Sequence, residues 1–360
     1  MRKYSVAIVG ATGMVGQRYT SLLAGHPWFE IKALAASPRS AGKAYEEAVQ
    51  GRWAFEWPIP EGVIGMNVMD ATDVEGVTKD VDFVFCAVDM PKDEIRALEE
   101  KYARTETPVV SNNSAFRYTP DIPMMIPEVN PGHMQVIPSQ RKRLGTKTGF
   151  ITCKPNCSIQ GYVPALTPLR EFGVAKISVC TYQAISGAGK TFERWPEMVD
   201  NVIPYIGGEE HKSEVEPLKI WGKVDQGEIK PAERPIISAQ CYRVAASDGH
   251  MAAVSVSFDK KPPIDEIRSL WDSYEGLPQK YKLPSAPEKF LTYFDQPDRP
   301  QTRLDRDLYD GMGVSIGRLR EDNIFDYKFV SLSHNTLRGA AGGSVETAEL
   351  LCHEGYIPHK

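Results

Sequence analysis

The strongest constraint on this 360-residue chain lies at its start, where an apolar run ends on a glycine and hands over to an amphipathic helix. Tyr4 to Val9 reads as a strand, Gly10-Ala11-Thr12-Gly13-Met14-Val15-Gly16 follows it directly, and Met14 to Leu23 reads as a helix. Glycines at that spacing let the chain turn tightly. They also let backbone N–H groups at the helix start approach a pyrophosphate, whose charge the helix dipole favours. The motif therefore assigns Gly10, Thr12, Gly13, Met14, Val15 and Gly16 to a dinucleotide. The rhythm continues with strands at 31–36, 81–87 and 108–111 and a helix at 92–103 behind Pro91, which predicts a doubly wound α/β sheet.

The end of the second strand should lie beside the adenosine ribose, where an acidic residue would accept the 2′-hydroxyl of NAD. Here the chain reads Ala35-Ala36-Ser37-Pro38-Arg39-Ser40-Ala41-Gly42-Lys43, with no acid. Arg39 can fork onto a phosphate and Ser37 and Ser40 can donate to one, so the cofactor expected is NADP. An exposed loop with an incidental arginine is the plainer alternative.

From residue 149 the pattern changes. Long β-branched runs at 174–184, 236–245 and 251–258 and a helix at 264–274 predict a second, α+β domain with a mainly antiparallel or mixed sheet. The Trp- and Pro-rich stretch 193–221 suits a subunit interface. The stretch 118–149 reads as irregular, with Arg141, Lys142 and Arg143 as a solvated helix end. A helix at 338–351 contains Gly339-Ala340-Ala341-Gly342-Gly343, small enough to lie against another backbone or a ligand. The net charge of −5 supplies no global field for nucleic acid or anionic lipid, so neither is expected as a partner. The apolar run at 81–88 is too short for a membrane anchor and that at 6–9 too short for a signal peptide. With six unpaired-looking cysteines, a cytoplasmic compartment is expected.

Among the cysteines, Cys157 has the setting of a nucleophile. Lys154-Pro155-Asn156-Cys157-Ser158 leads from a short strand into an apolar helix expected over 159–169, and a helix start stabilises a thiolate. Cys86 and Cys180 sit within strands and read as core. Cys153 and Cys157 are four apart with no second pair at zinc spacing, so no metal site is expected. On these grounds alone Cys157 fits a catalytic thiol and a buried one equally. Arg243, inside a strand, offers a fork for a carboxylate. His250, beyond an Asp-Gly turn, is the best base candidate of the seven histidines.

Nine segments together resemble the aspartate-semialdehyde dehydrogenase family, in particular its archaeal and fungal branch. They are GATGMVGQR (10–18), ASPRSAGK (36–43), SNNSAFR (111–117), PEVN (127–130), PNCSIQG (155–161), YQAISGAGK (182–190), EEHK (209–212), CYRVAASDGH (241–250) and HNTLRGAAGG (334–343). The resemblance implies reversible NADPH-dependent reduction of L-aspartyl 4-phosphate to L-aspartate 4-semialdehyde and phosphate, on the route to lysine, methionine and threonine. It makes Cys157 the acyl-thioester nucleophile, His250 the acid/base and Gln183 the group orienting the intermediate. Substrate would meet Asn156, with Arg243 on its α-carboxylate, Glu209 on its α-ammonium, and Lys212 with Arg117 on the departing phosphate. Adjacent Glu210 leaves that acidic assignment open by one residue. Ser186, Gly187 and Asn335 would lie near the nicotinamide. The implied architecture is a Rossmann-like NADP-binding domain of residues 1–155 together with 336–360, and a catalytic and dimerisation domain of residues 156–335, in a homodimer or homotetramer. Malonyl-CoA reductase and N-acetylglutamyl-phosphate reductase share the layout, and an NADP-binding sensor with a dead site is the non-enzyme alternative.

Overall fold

The computed structural model describes residues 2–360. Its first third forms a six-stranded parallel sheet from β1 (Tyr4–Val9), β2 (Phe29–Ala36), β3 (Val68–Asp70), β4 (Phe83–Cys86), β5 (Val109–Ser111) and β6 (Ile151–Cys153). The order is β3-β2-β1-β4-β5-β6, so the chain changes direction between β1 and β4 and opens a crevice at their C-terminal ends. Strands β4, β5 and β6 are fully buried runs such as Phe83-Val84-Phe85-Cys86, as expected for a parallel sheet covered on both faces. Helix α1 (Met14–Leu23) and helix α2 (Lys92–Arg104) are crossovers of this sheet, and α3 (Ile137–Leu144) leads into β6. The basic cluster forms the last turn of α3. Lys142 is exposed there, Arg143 pairs with Asp121 and Glu100, and Arg141 donates to the Thr148 and Tyr356 carbonyls.

The second sheet has seven strands. They are β7 (Val174–Gln183), β8 (Val202–Ile203), β11 (Ile236–Val244), β12 (His250–Phe258), β13 (Leu291–Phe294), β14 (Val314–Glu321) and β15 (Tyr327–Ser333), in the order β13-β14-β15-β12-β7-β11-β8. A hairpin of β9 (Lys223–Asp225) and β10 (Glu228–Lys230) stands apart. The sheet is mixed, with β11 parallel to β7, β13 parallel to β14 and the other pairs antiparallel. Helix α4 (Glu209–Ile220) packs on β11, and α5 (Ile264–Asp272) packs on β13. Inward residues of β12 alternate strictly with half-exposed ones, so one face of this sheet has no cover within the chain. Tyr182, Ile236 and Val202 are exposed there or at its edge. Cys180 also lies half-exposed on this open face, which corrects its assignment to the core: the period-two alternation of β7 points it outward.

The final helix, α6 (Ala341–His353), returns to the first sheet, packing on α1 and beside β5. It is anchored by Arg338, whose guanidinium, inaccessible to solvent, pairs with Glu128 at 2.8 Å and Glu346 at 2.6 Å and donates to the Met312 carbonyl. Removing one member of such a cluster leaves the others desolvated without a counter-charge, which costs about 3–5 kcal/mol. Arg338→Ala is accordingly expected to lower the urea unfolding free energy by about that amount, and a midpoint shift no larger than that of a surface Arg→Ala control would refute the anchoring role.

Candidate active site

The glycine turn is shaped from inside at two of its three glycines. Gly10 has φ of +92°, and a Cβ there would collide with the Ala87 carbonyl; a Cβ on Gly16 would collide with the Gly10 carbonyl. Gly13 differs. Its nearest neighbour would be the Gly10 oxygen at 3.6 Å, an ordinary contact, and it is exposed at the start of α1. Nothing within the chain requires a glycine at 13, and its exposed backbone at the start of α1 leaves room for a pyrophosphate to approach the helix N-terminus. Thr12, Met14 and Val15 border the same opening at intermediate exposure. Beyond β2, Ser37 and Arg39 are exposed while Ser40 is buried with its amide on the Ser37 carbonyl. Arg39 makes no ion pair or hydrogen bond among the described residues, which leaves its fork free for a phosphate. These residues fit NADP.

The second half of the site gathers where β6 leaves the first sheet. Asn156 caps the turn, with Oδ1 accepting from the Ser158 amide at 2.8 Å and Nδ2 donating to Glu209 at 3.0 Å. Its own amide donates to Glu216 at 2.6 Å, and Glu216 also holds Arg117 at 3.0 Å. Arg117 donates further to the Lys154 carbonyl. Glu209 opens α4 and accepts from Lys212 at 2.7 Å and Gln183 at 3.3 Å. Glu210 instead reaches the Cys241 amide on β11, so it is Glu209 that faces Cys157 and its partners. Gln183 and Arg243 end neighbouring strands in register, and His250 begins β12 beside them. The 185–188 turn closes over this group: a Cβ on Gly187 would stand 2.8 Å from an Arg243 nitrogen and 2.9 Å from the His250 ring. Asn335 braces it, donating to Ser186 Oγ at 2.8 Å and accepting from the Gly249 amide at 2.8 Å.

The electrostatics revise one expectation. Cys157 does not open a long helix. It begins a four-residue 3₁₀ turn, Cys157–Gln160, followed by Tyr162–Leu166 and Pro168–Phe172. Pro164 and Pro168 lack the N–H groups that the Gln160 and Pro164 carbonyls would need for a continuous helix over 159–169. Little dipole therefore acts on the thiol. Burial, then Glu209, pushes Cys157 up to about 11, against the opposing pull of Arg117, Arg243 and Lys212. His250 moves the other way: burial, then Arg243 and His334, pushes it down to about 3, so its ring is neutral at physiological pH. The Ala184 amide donates to Nδ1 at 3.1 Å, which places the ring proton on Nε2, a buried atom with no partner. Arg243 is buried too. It donates to the Ala184 carbonyl at 2.6 Å, and among the described residues no carboxylate pairs with it.

Two further groups were not picked out from the sequence. Glu216 shares one face of α4 with Glu209 and Lys212, seven and four residues earlier, and an acidic residue in phase with both is the signal that could have found it. Arg18 lines a cleft of about 620 Å³ between α1 and the second domain, with Phe55, Trp57, Lys190, Arg306 and His334 around it. This cleft shares Met14 and Ser186 with the predicted site but is not lined by Cys157, so it and the thiol cluster are distinct. Because Glu209 helps hold the thiol up, Glu209→Gln is expected to move the iodoacetamide alkylation curve of Cys157 to lower pH. An unchanged or raised curve would contradict this electrostatic account.

Residues 5–137 match the family described as semialdehyde dehydrogenase, NAD binding domain, and residues 166–338 match semialdehyde dehydrogenase, dimerisation domain. Aspartate-semialdehyde dehydrogenase of Methanothermobacter thermautotrophicus is 45% identical over 350 residues, covering 96% of this chain and 98% of its own. The enzyme of that name from Aspergillus fumigatus is 41% identical over 364 residues, covering 99% of each. The crystal structure of aspartate semialdehyde dehydrogenase with NADP from Candida albicans superposes with a TM-score of 0.89 at 39% identity, covering 99% of this chain and 100% of that one. With this coverage at both ends, the chain belongs to the aspartate-semialdehyde dehydrogenase family.

Proposed function

We propose that the chain catalyses the reversible, NADPH-dependent reduction of L-aspartyl 4-phosphate to L-aspartate 4-semialdehyde and phosphate, through a thioester on Cys157. The observation that carries the substrate assignment is Arg243: a buried guanidinium without a carboxylate partner, beside His250 and within electrostatic reach of Cys157. A bound α-carboxylate supplies the missing counter-charge, and Glu209 then meets the α-ammonium. Lys212, only half-buried, reaches the phosphate, with Arg117 adding charge from its fixed place on Glu216. Residues 1–155 with 336–360 act as the NADP-binding unit and 156–335 as the catalytic and dimerisation unit. Two copies would meet through the open face of the seven-stranded sheet, where Tyr182 stacks on Tyr242 with ring centroids 6.1 Å apart.

The chemistry follows from the groups. Cys157 Sγ attacks the acyl carbonyl, and the tetrahedral oxyanion collapses to the thioester as the C–O bond to phosphate breaks, the thiol's proton leaving on the departing hydrogen phosphate. The His250 Nε2–H, partnerless in the chain, donates to oxyanions formed at the carbonyl before phosphate loss and after reduction. Bound NADPH would supply the hydride to the thioester; the C–S bond then breaks to release the aldehyde and return the Cys157 sulfur, which takes a proton from solvent. Gln183, tied to Glu209 and Thr181 and in register beside Arg243, orients the intermediate. Malonyl-CoA lacks the ammonium, and N-acetylglutamyl phosphate masks it and is one methylene longer, so neither offers Glu209 the cation that aspartyl phosphate brings.

Phosphate-dependent oxidation of aspartate semialdehyde, followed by NADPH absorbance, tests this reading. Activity with the semialdehyde and negligible turnover in the other two acyl pairs is expected, and a malonyl-CoA rate equal to that with aspartyl phosphate would overturn it. Arg243→Lys keeps the charge but loses the fork, so kcat/KM for the semialdehyde should fall at least tenfold while the NADP dissociation constant stays put. Arg39→Ala should raise KM for NADP about tenfold and leave that for NAD unchanged, because only the 2′-phosphate contact is lost.

A further inference from the structure

One buried amine has no place in the chemistry above. Lys154 follows β6 three residues before Cys157, and its side chain is buried. Its Nζ has a single hydrogen-bond partner, Gln160 Oε1 at 3.4 Å. Gln160 is itself inaccessible to solvent and turns its Nε2 onto the Asn156 carbonyl at 3.3 Å. A side-chain path thus runs from Lys154 to the peptide unit that joins Asn156 to Cys157. The other wall of the lysine's pocket is α6. A Cβ on Gly343 would collide with Nζ itself and stand 2.7 Å from Cε, so Gly343 makes room for the lysine, whereas Gly339 lies against the Asn335 backbone and Gly342 against Met312.

The charged groups around the amine are Arg338 and Glu346 from the C-terminal segment, Glu128 from the 127–130 segment and Arg117. None of the carboxylates is within ion-pair distance of Nζ. Burial, followed by Arg338, pushes the amine down to about 7. A desolvated amine with one polar partner is costly, and an apolar residue of the same length would fill the space more cheaply.

We propose that Lys154 is a positioning residue: Nζ, seated on Gly343, holds the Gln160 amide and through it the Asn156 carbonyl, so that the packing of the C-terminal helix fixes the direction of the Cys157 thiol. This rests on Cys157 being the nucleophile. Lys154→Met keeps the stem and removes the donor. Gln160→Glu keeps an acceptor for Lys154, adding a carboxylate that pairs with its amine, and replaces the donor to the Asn156 carbonyl by an acceptor.

The test measures kcat and KM, together with the iodoacetamide alkylation rate of Cys157, for both single variants and the double variant of the full-length enzyme. Each single variant is expected to lower kcat and the alkylation rate about tenfold while KM for NADP stays within about twofold, and the double variant to be no worse than either single. Additive losses, or wild-type kcat and alkylation in Lys154→Met, would overturn the proposal. Should Lys154→Met fail to fold, Gln160→Glu decides alone, and wild-type kcat in that variant rejects the path. An active Cys157→Ser enzyme would remove the catalytic reading instead, whereas the alkylation rates would still report whether Lys154 orients the thiol.

Discussion

The Glu216 carboxylate is the interaction on which the candidate site depends. It is 1% exposed, and a carboxylate so buried is tolerated only when its oxygens are taken up by strong donors. Oε1 accepts from Arg117, which belongs to the segment following β5, and Oε2 accepts from the Asn156 amide in the turn after β6. Helix α4 of the second domain is thereby locked to both exits of the first sheet. Once Asn156 is fixed, its side chain caps the Cys157 turn and reaches Glu209 two helical turns before Glu216, and Glu209 in turn gathers Lys212 and Gln183. The arrangement also explains why the Glu209 side chain faces the site while Glu210 does not. With Glu216 pointing at Asn156, the residue seven positions earlier lies on the same helix face, whereas Glu210, six positions earlier, is turned away toward β11.

The resting site is close to uncharged at its two reactive atoms. Burial raises the thiol and lowers the imidazole, so neither an ion pair nor a free thiolate is held in waiting. The charges sit one layer out, on Arg117, Arg243, Lys212 and Glu209. Such a layout suits a substrate that brings an ammonium, a carboxylate and a phosphate of its own, because each fixed charge then has a counterpart and the reacting carbonyl lies among neutral groups. It also restrains the thiol from reacting indiscriminately before substrate arrives.

Local chemistry made much of this legible beforehand. Strand β1 and helix α1 fall on the residues expected, because an apolar run, a glycine forced to positive φ and an amphipathic stretch all specify the same structure there. The expectation of a dinucleotide comes from that turn and the preference for NADP from Ser37, Arg39 and Ser40 after the second strand, whereas Ser186, Gly187 and Asn335 entered only through the resemblance. The catalytic half is assembled from β6, β7, β11, β12 and α4, far apart in sequence, and only the family resemblance joined its members. Short strands such as β3 carry too little pattern to be seen, and β14 is interrupted by Arg318 at φ of +63°. The expected helix over 159–169 failed because two prolines outweigh an apolar run. Segments quoted for resemblance also gained a physical meaning: Glu128 of PEVN and Arg338 of HNTLRGAAGG are partners in one buried cluster.

The central claim is that Cys157 carries the acyl group. Incubating the enzyme with L-aspartyl 4-phosphate without cofactor, quenching in acid and mapping peptides by mass spectrometry measures it directly. The account predicts an aspartyl adduct on the peptide containing Cys157, labile to hydroxylamine and absent from Cys157→Ser. Turnover with no adduct on that peptide, or an equal adduct on Cys153, would contradict it.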